Sequence, residues 1–227
     1  MVTNMKIIRR DFVEDDNCFF CKRTLKTKIA YIIELEDGKE IQCGPCCAKK
    51  HFDKIVVANT PDFTRAVVEY VSKKSKSKDG NSIDNNNSTK ELEYLLLRCK
   101  YLDDFDNFNK LKIQPLVDVY NKNHFEINDR DKKNINIIMD KLKDTKLGYK
   151  NLMACYQAKK ILNMWIKLKY DDIESLNVAK KFYNSLKEYC HLTDNQVIGL
   201  NRWIVNMENI PKINGKWFFR YNNVTTS

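Results

Sequence analysis

Residues 18–52 read CFFCKRTLKTKIAYIIELEDGKEIQCGPCCAKKHF, and the five cysteines gathered there, of eight in the chain, decide how the N-terminal part folds. Two residues separate Cys18 from Cys21 and Cys43 from Cys46, and the clusters are separated by about twenty residues, a spacing that lets thiolates converge on one tetrahedral zinc ion. Between them TKIAYIIELE is β-branched and aromatic, EDGK supplies an Asp-Gly turn and KEIQ returns, so a β-hairpin is predicted. Gly44 and Pro45 then open a helix, Pro45 at a position where a missing N–H costs nothing. Knuckle, hairpin and helix follow the order of a treble clef. A thioredoxin-like reading of CFFC fails, because that motif starts a helix at its first cysteine and here a hairpin follows. Spacing from Cys43 selects Cys46 as fourth ligand, yet Cys47 lies in the same first helical turn, where N–H groups and the helix dipole favour a thiolate. His51, one turn past Cys47, is a substitute ligand, with the plainer reading that it packs on the surface.

Composition bounds the rest. The 227 residues carry 40 Lys+Arg against 30 Asp+Glu, a formal charge of +10, and 43% are hydrophobic, enough for one good core or a small module plus a larger domain. The basic balance suits a polyanionic partner or plain solubility. No run of about 18 apolar residues occurs, and MVTNMKIIRRDF lacks the apolar centre of a signal peptide, so a reducing cytoplasm without membrane contact is expected. In that compartment paired cysteines bind metal rather than form disulfides. Catalysis by the finger is disfavoured: the hairpin holds no histidine to activate water, no H-x-E accompanies the cysteines, and four thiolates leave no open coordination position. The expected cofactor is therefore one structural Zn2+ per chain.

The residues CFFCKRTLK and GPCCAKK resemble a small zinc module of bacteriophage and bacterial proteins, with the pattern C-x-x-C-x-R-x-L, hairpin, G-P-x-C-A-K-K. The resemblance covers about a fifth of the chain. It implies a treble-clef-like finger, a phage-encoded origin with host cytosol as the compartment, and Cys18, Cys21, Cys43 and Cys47 as ligands, Cys46 being the alternative to Cys47. FYNSLKEYCHLTDNQVIGL, further on, also resembles a helical segment of proteins carrying such modules.

Beyond the finger (1–57), NTPDFTRAVVEYVSKK predicts a connecting helix over 58–74, with Thr60 as N-cap and Pro61 in its first turn. Residues 75–90 are rich in Lys, Ser, Asn and Asp and poor in apolar side chains, which predicts a disordered linker leaving the two parts free to move. From 91 to 227 the chain reads as a helical domain with a weak two-fold internal repeat, about 91–142 and 151–208. FEINDRDKKNINIIM aligns with CHLTDNQVIGLNRWI at an offset of 65 residues, Ile127 on Leu192, and each copy starts a helix at a cap: Asn128 with Asp131, Thr193 with Gln196. The fold class is thus mostly α behind a β-hairpin-plus-helix finger. Cys99, Cys155 and Cys190 lack paired spacing and belong to helix interiors.

Charge is unevenly spread. Residues 91–140 carry 8 basic and 10 acidic groups, including DDFD, whereas 141–169 carry 8 lysines and one aspartate. Within YKNLMACYQAKKILNMWIKLKY, Leu152, Cys155, Tyr156, Leu162, Trp165 and Ile166 form an apolar stripe. Lys159, Lys160, Lys167 and Lys169 are the candidate phosphate contacts, joined by Lys22 and Arg23 at the knuckle and Lys49 and Lys50 on the finger helix. A helix-turn-helix reader is disfavoured, since the helix after Thr193 has one arginine and no lysine. The aromatic run KWFFRY near the C-terminus is either a stacking platform for bases or a tail packed on the core. The leading expectation is a non-enzymatic zinc-finger protein that binds nucleic acid, DNA or RNA, or a nucleic-acid machine. The alternative is a modulator of a host polymerase or defence complex that binds protein through the finger and YLDDFDNF.

Overall fold

In the computed structural model, residues 5–14, 17–68, 89–105, 114–122, 127–169, 171–205, 210 and 212–220 are described. The predicted hairpin forms from β2 (Ile29–Glu34) and β3 (Glu40–Cys43), closed by a turn in which Gly38 takes φ +77 and the Asp37 carboxylate accepts from the Lys39 N–H. A third strand, β1 (Lys6–Phe12), adds antiparallel to β2 and gives the order β1-β2-β3. Its register slips between Ile7 and Arg9, a bulge that breaks strict alternation and lets Ile7, Ile8 and Arg9 all be buried. α1 (Pro45–His51) starts at Pro45 and α2 (Lys54–Ala58) is capped by the Asp53 side chain.

The connecting helix expected over 58–74 does not form in its described part. Pro61 leads into an Asx turn in which the Asp62 carboxylate takes both the N–H and the hydroxyl of Thr64, which diverts the chain from helical hydrogen bonding. Val67–Val68 (β4) then pair with Lys212–Ile213 (β5). Residues 75–88 of the expected linker lie outside the described residues, and at its end Thr89 is already the N-cap of α3 (Lys90–Leu96), which runs on as a π turn, Leu97–Tyr101.

The remaining described helices are α4 (Gln114–Lys122), α5 (Asp129–Leu142), α6 (Tyr149–Leu168), α7 (Ile173–Tyr189) and α8 (Asp194–Ile204). The Asn128 side chain caps α5, and Thr193 with Gln196 closes a full capping box on α8. α6 is buried on every side from Asn151 to Ala158 because it is the central helix, flanked by α7 and by the π turn after α3. Trp165 fills the middle of this core and donates its indole N–H to the Ser175 hydroxyl at 2.8 Å. Cys155 and Cys190 are buried in it, with Cys99 at its edge.

The N-terminal sheet unit and the helices do not hang apart. Phe12 and Ile29, cross-strand partners, turn away from the N-terminal sheet's own core into that of the helices, together with Phe63 and Ala66. Burying each of the larger side chains contributes about 1.5–3 kcal/mol. Polar groups reinforce the joint. Asp11, fully buried on β1, accepts from Arg9 Nε at 3.1 Å and from the Tyr156 hydroxyl at 2.5 Å. Glu93, fully buried on α3, takes the Asp62 N–H, the Arg65 guanidinium and the Tyr149 hydroxyl. Among the described residues, no helix is long and apolar enough to cross a membrane.

Candidate metal centre and the adjoining groove

The knuckle after Asn17 is set by backbone geometry. Asn17 bridges Thr24, Cys18 N–H donates to the Arg23 carbonyl, Lys22 N–H returns to the Cys18 carbonyl, and Lys22 adopts φ 58 to close the turn. Phe19 N–H donates to the Gln42 carbonyl at 2.8 Å, tying the knuckle to β3 just before Cys43. Helix α1 brings Cys47 onto the same point. The sulfurs of Cys18, Cys21 and Cys47 all lie within 4.8 Å of one another.

Sulfurs bound to one tetrahedral ion at about 2.3 Å sit roughly 3.8 Å apart, so this trio needs only a small contraction to hold a metal. The Gly44 N–H points at Cys18 Sγ at 3.5 Å, the kind of backbone donor that supports a metal thiolate. Burial works against ionisation of Cys18, but the N–H groups of Cys21, Gly44 and Phe20 with the Cys47 thiol outweigh it and bring Cys18 down to about 7. Cys47 is pushed up to about 12 by burial and by its hydrogen bonds with Cys21 and Cys18. Cys43 is fully buried and stands outside the trio; it is pushed up to about 12, by burial first and then by the charges of Cys18, Cys47 and Cys21. Cys46 is exposed and does not join the cluster. His51 stacks on Phe20 with ring centroids 4.1 Å apart. The three-cysteine cluster can therefore bind a metal ion.

The predicted basic residues scatter. Lys159 is not a surface contact: its ammonium bonds Asp104 at 2.6 Å and the Tyr101 carbonyl at 2.9 Å inside the helical packing. Lys167 pairs with Glu14 of the finger at 2.7 Å, and Lys169 is exposed. Sequence reasoning took one face of α6 as free because nothing in a single helix reveals that the finger lies against it. Arg23, Lys49 and Lys50 are exposed, and Lys49 borders a separate cavity with Lys54 and Arg10. The acidic segment is likewise engaged at Asp104, which also accepts from the Tyr183 hydroxyl.

Lys22 and Lys160, far apart in sequence, border one groove of about 630 Å³ that runs from the knuckle to α6. Lys39 on the hairpin turn and the buried Arg9 complete its basic wall. Arg9 is held by Glu40 through two hydrogen bonds of 2.8 and 2.7 Å. Three cations here are engaged: Arg9 by Asp11 and Glu40, Lys160 by Asp11 at 3.8 Å, and the neighbouring Lys167 by Glu14. At the mouth Phe19 is exposed, with the Lys22 ammonium 4.8 Å from its ring centroid. Arg9 and Lys39 belong to the groove but not to the sequence-derived set; Arg9 was hidden because β1 itself was not foreseen. Compared with models of known protein families, with curated proteins and with solved structures, the chain finds no match.

Proposed function

We propose that this protein is a non-enzymatic, zinc-stabilised nucleic-acid-binding protein. In this reading Cys18, Cys21, Cys43 and Cys47 hold one structural Zn2+ in a treble-clef-like finger, and Cys46 stands aside because it is Cys47 that joins Cys18 and Cys21 in the cluster. Zinc is the ion that suits a set of thiolates on a knuckle and a helix start. It would convert the neutral thiols of Cys43 and Cys47 into thiolates, and its charge would offset theirs. Helices α5 and α8 are read as the capped helices of two copies of one unit, and the whole as the product of a phage genome acting in a host cytosol.

One observation carries the functional reading: Lys22 and Lys39 from the cysteine-bearing hairpin meet Lys160 from α6 on a single groove beside an exposed aromatic ring. Glu40 and Glu14 are already bound by Arg9 and Lys167, and within the described residues no carboxylate pairs with Lys22 or Lys39. A phosphate backbone tracking the groove would meet the three lysines, with a base against Phe19. Fluorescence anisotropy of labelled duplex and single-stranded probes in a salt series tests this. Log affinity should fall linearly with log salt, by about 0.9 per phosphate contact on duplex and about 0.7 on single strands. Changing Lys22 and Lys39 to Glu, which pair with no carboxylate within the described residues, should abolish binding with helicity intact. No binding of either probe at low salt, combined with capture of a host protein that survives nuclease treatment, would replace this reading with the protein-modulator alternative.

A further inference from the structure

Arg9, in the middle of β1, reaches past β2 to Glu40 on β3. Its two terminal nitrogens donate to the two oxygens of the Glu40 carboxylate at 2.8 and 2.7 Å, a parallel fork. Both residues border the groove that runs from the knuckle to α6. The two members of the pair are unequally held. The Arg9 side chain is 9% exposed and that of Glu40 is 41% exposed.

Arg9 keeps its place without Glu40. Its Nε donates to Asp11 at 3.1 Å, and the guanidinium carbon lies 5.4 Å from the centroid of the Tyr101 ring, which the π turn after α3 delivers. That ring is fixed in turn by Phe63 and Tyr156, with centroids 5.0 and 5.1 Å away. Glu40 has no comparable support. It is the first residue of an edge strand, and among the described residues its carboxylate bonds only Arg9. A half-exposed carboxylate on an edge strand regains its hydration by turning outward, and the guanidinium fork it leaves stays aimed at the same point. The fork that grips two carboxylate oxygens grips the two non-bridging oxygens of a phosphodiester in the same way.

We propose that Glu40 is a built-in competitor for phosphate: it fills the Arg9 fork in the free protein, and a phosphodiester of the strand bound in the groove takes its place. This rests on the nucleic-acid reading above, and adds to it the residue that grips a phosphate and the residue that sets the affinity. Lys22 and Lys39 draw the strand in, and Arg9 receives a phosphate only once Glu40 has left. An ordinary salt bridge across the sheet would also be weakened by changing Glu40, but it would give no specific gain in binding.

Glu14 provides the control. It borders the same groove, its side chain is also 41% exposed, and it pairs with Lys167 instead of Arg9. Glu14→Gln and Glu40→Gln therefore change the net charge equally, and only the second empties the fork. The test is fluorescence anisotropy of the full chain with a labelled oligothymidine strand and a labelled duplex at fixed salt. Glu40→Gln should tighten binding by about tenfold on the probe that the wild type binds, and Glu14→Gln by less than about threefold. Adding Arg9→Lys to Glu40→Gln should remove the gain, because an ammonium keeps the charge and loses the fork, with folding checked by circular dichroism. Should that double variant unfold, NMR of the wild-type guanidinium groups decides. The Arg9 Nη signals should shift when the probe is added, and the Nε signal, held by Asp11, should move little. Equal tightening by the two glutamate variants, no tightening by Glu40→Gln, or Arg9 signals that stay in place with probe bound would overturn the proposal. Any of these leaves the groove reading intact while wild-type binding depends on Lys22 and Lys39. Binding of neither probe by the wild type and by Glu40→Gln would remove both.

Discussion

Replacing Asp11 with Ala should be among the most damaging single changes in this chain, although Asp11 lies outside the cysteine cluster. Its side chain is fully buried, accepts from Arg9 Nε, Tyr156 Oη and the Phe12 N–H, and has the Lys160 ammonium 3.8 Å away. Removing one member of a buried ion pair costs about 3–5 kcal/mol, because the partner stays desolvated without compensation. The lower end applies to Arg9, which keeps both bonds to Glu40. Orphaning the Tyr156 hydroxyl adds about 1 kcal/mol, for a total near ~4 kcal/mol. In a domain of this size that lowers the melting midpoint by roughly 8–16 °C. Tyr156→Phe alone should cost about 1.5–3 kcal/mol, as expected for a hydrogen bond to a charged group. The double change should cost about 1 kcal/mol less than the sum, since the hydroxyl that Asp11→Ala strands is then gone. Urea unfolding followed by tryptophan fluorescence measures all three. A loss below about 1 kcal/mol for Asp11→Ala, or strict additivity, would refute the view that this buried carboxylate couples finger to helices.

Ser175→Ala leaves the buried Trp165 indole N–H without its acceptor and should cost about 1–2 kcal/mol by the same urea assay. Gly148→Ala drives a methyl group against the Lys143 carbonyl, a backbone atom that cannot yield, and should destabilise by about 1–3 kcal/mol in thermal unfolding. Two carboxylates should give the pH profile opposite slopes. Glu93 is raised above 4.5, by burial first and against the pull of Arg65, so its contribution is fully present below 4.5 and is lost as the pH rises through the folded-state value. Glu93→Gln should flatten that decline in a urea-midpoint series. Glu40 is lowered, chiefly by its hydrogen bonds from Arg9, so its contribution is present above 4.5 and fades as the pH falls through the folded-state value. The cost of Glu40→Gln should therefore shrink in acid.

Features carried by local spacing were legible in the sequence. The hairpin followed from its β-branched run and Asp-Gly turn, the start of α1 from Gly44-Pro45, and the caps at Asn128 and Thr193 from residues three positions apart. Cys18 and Cys21 were nameable for the same reason, as the two cysteines of one knuckle; Cys47 was not, since spacing from Cys43 selects Cys46 and the choice of Cys47 came from the resemblance to G-P-x-C-A-K-K. Features that depend on packing were not. Strand β1 carries Arg9, Arg10 and Asp11 in its middle, which hides its alternation, and its burial depends on a bulge and on α6. The helix expected after Thr60 lost to an Asx turn at Asp62, a competition decided by β4 pairing with a strand far along the chain. The lysines of α6 illustrate the limit most clearly. A charge excess over 141–169 is a property of the chain, but Lys159 and Lys167 are consumed by partners 55 and 153 residues away.

Metal analysis of the purified full chain tests the central claim most directly, by native mass spectrometry and by absorption after replacement with cobalt. The account predicts one zinc per chain and a cobalt spectrum with strong thiolate charge-transfer bands. It further predicts that the metal is lost in Cys18→Ser and Cys47→Ser and retained in Cys46→Ser. Wild-type protein that folds with no bound metal, or that keeps its metal when Cys47 is changed and loses it when Cys46 is changed, would contradict it.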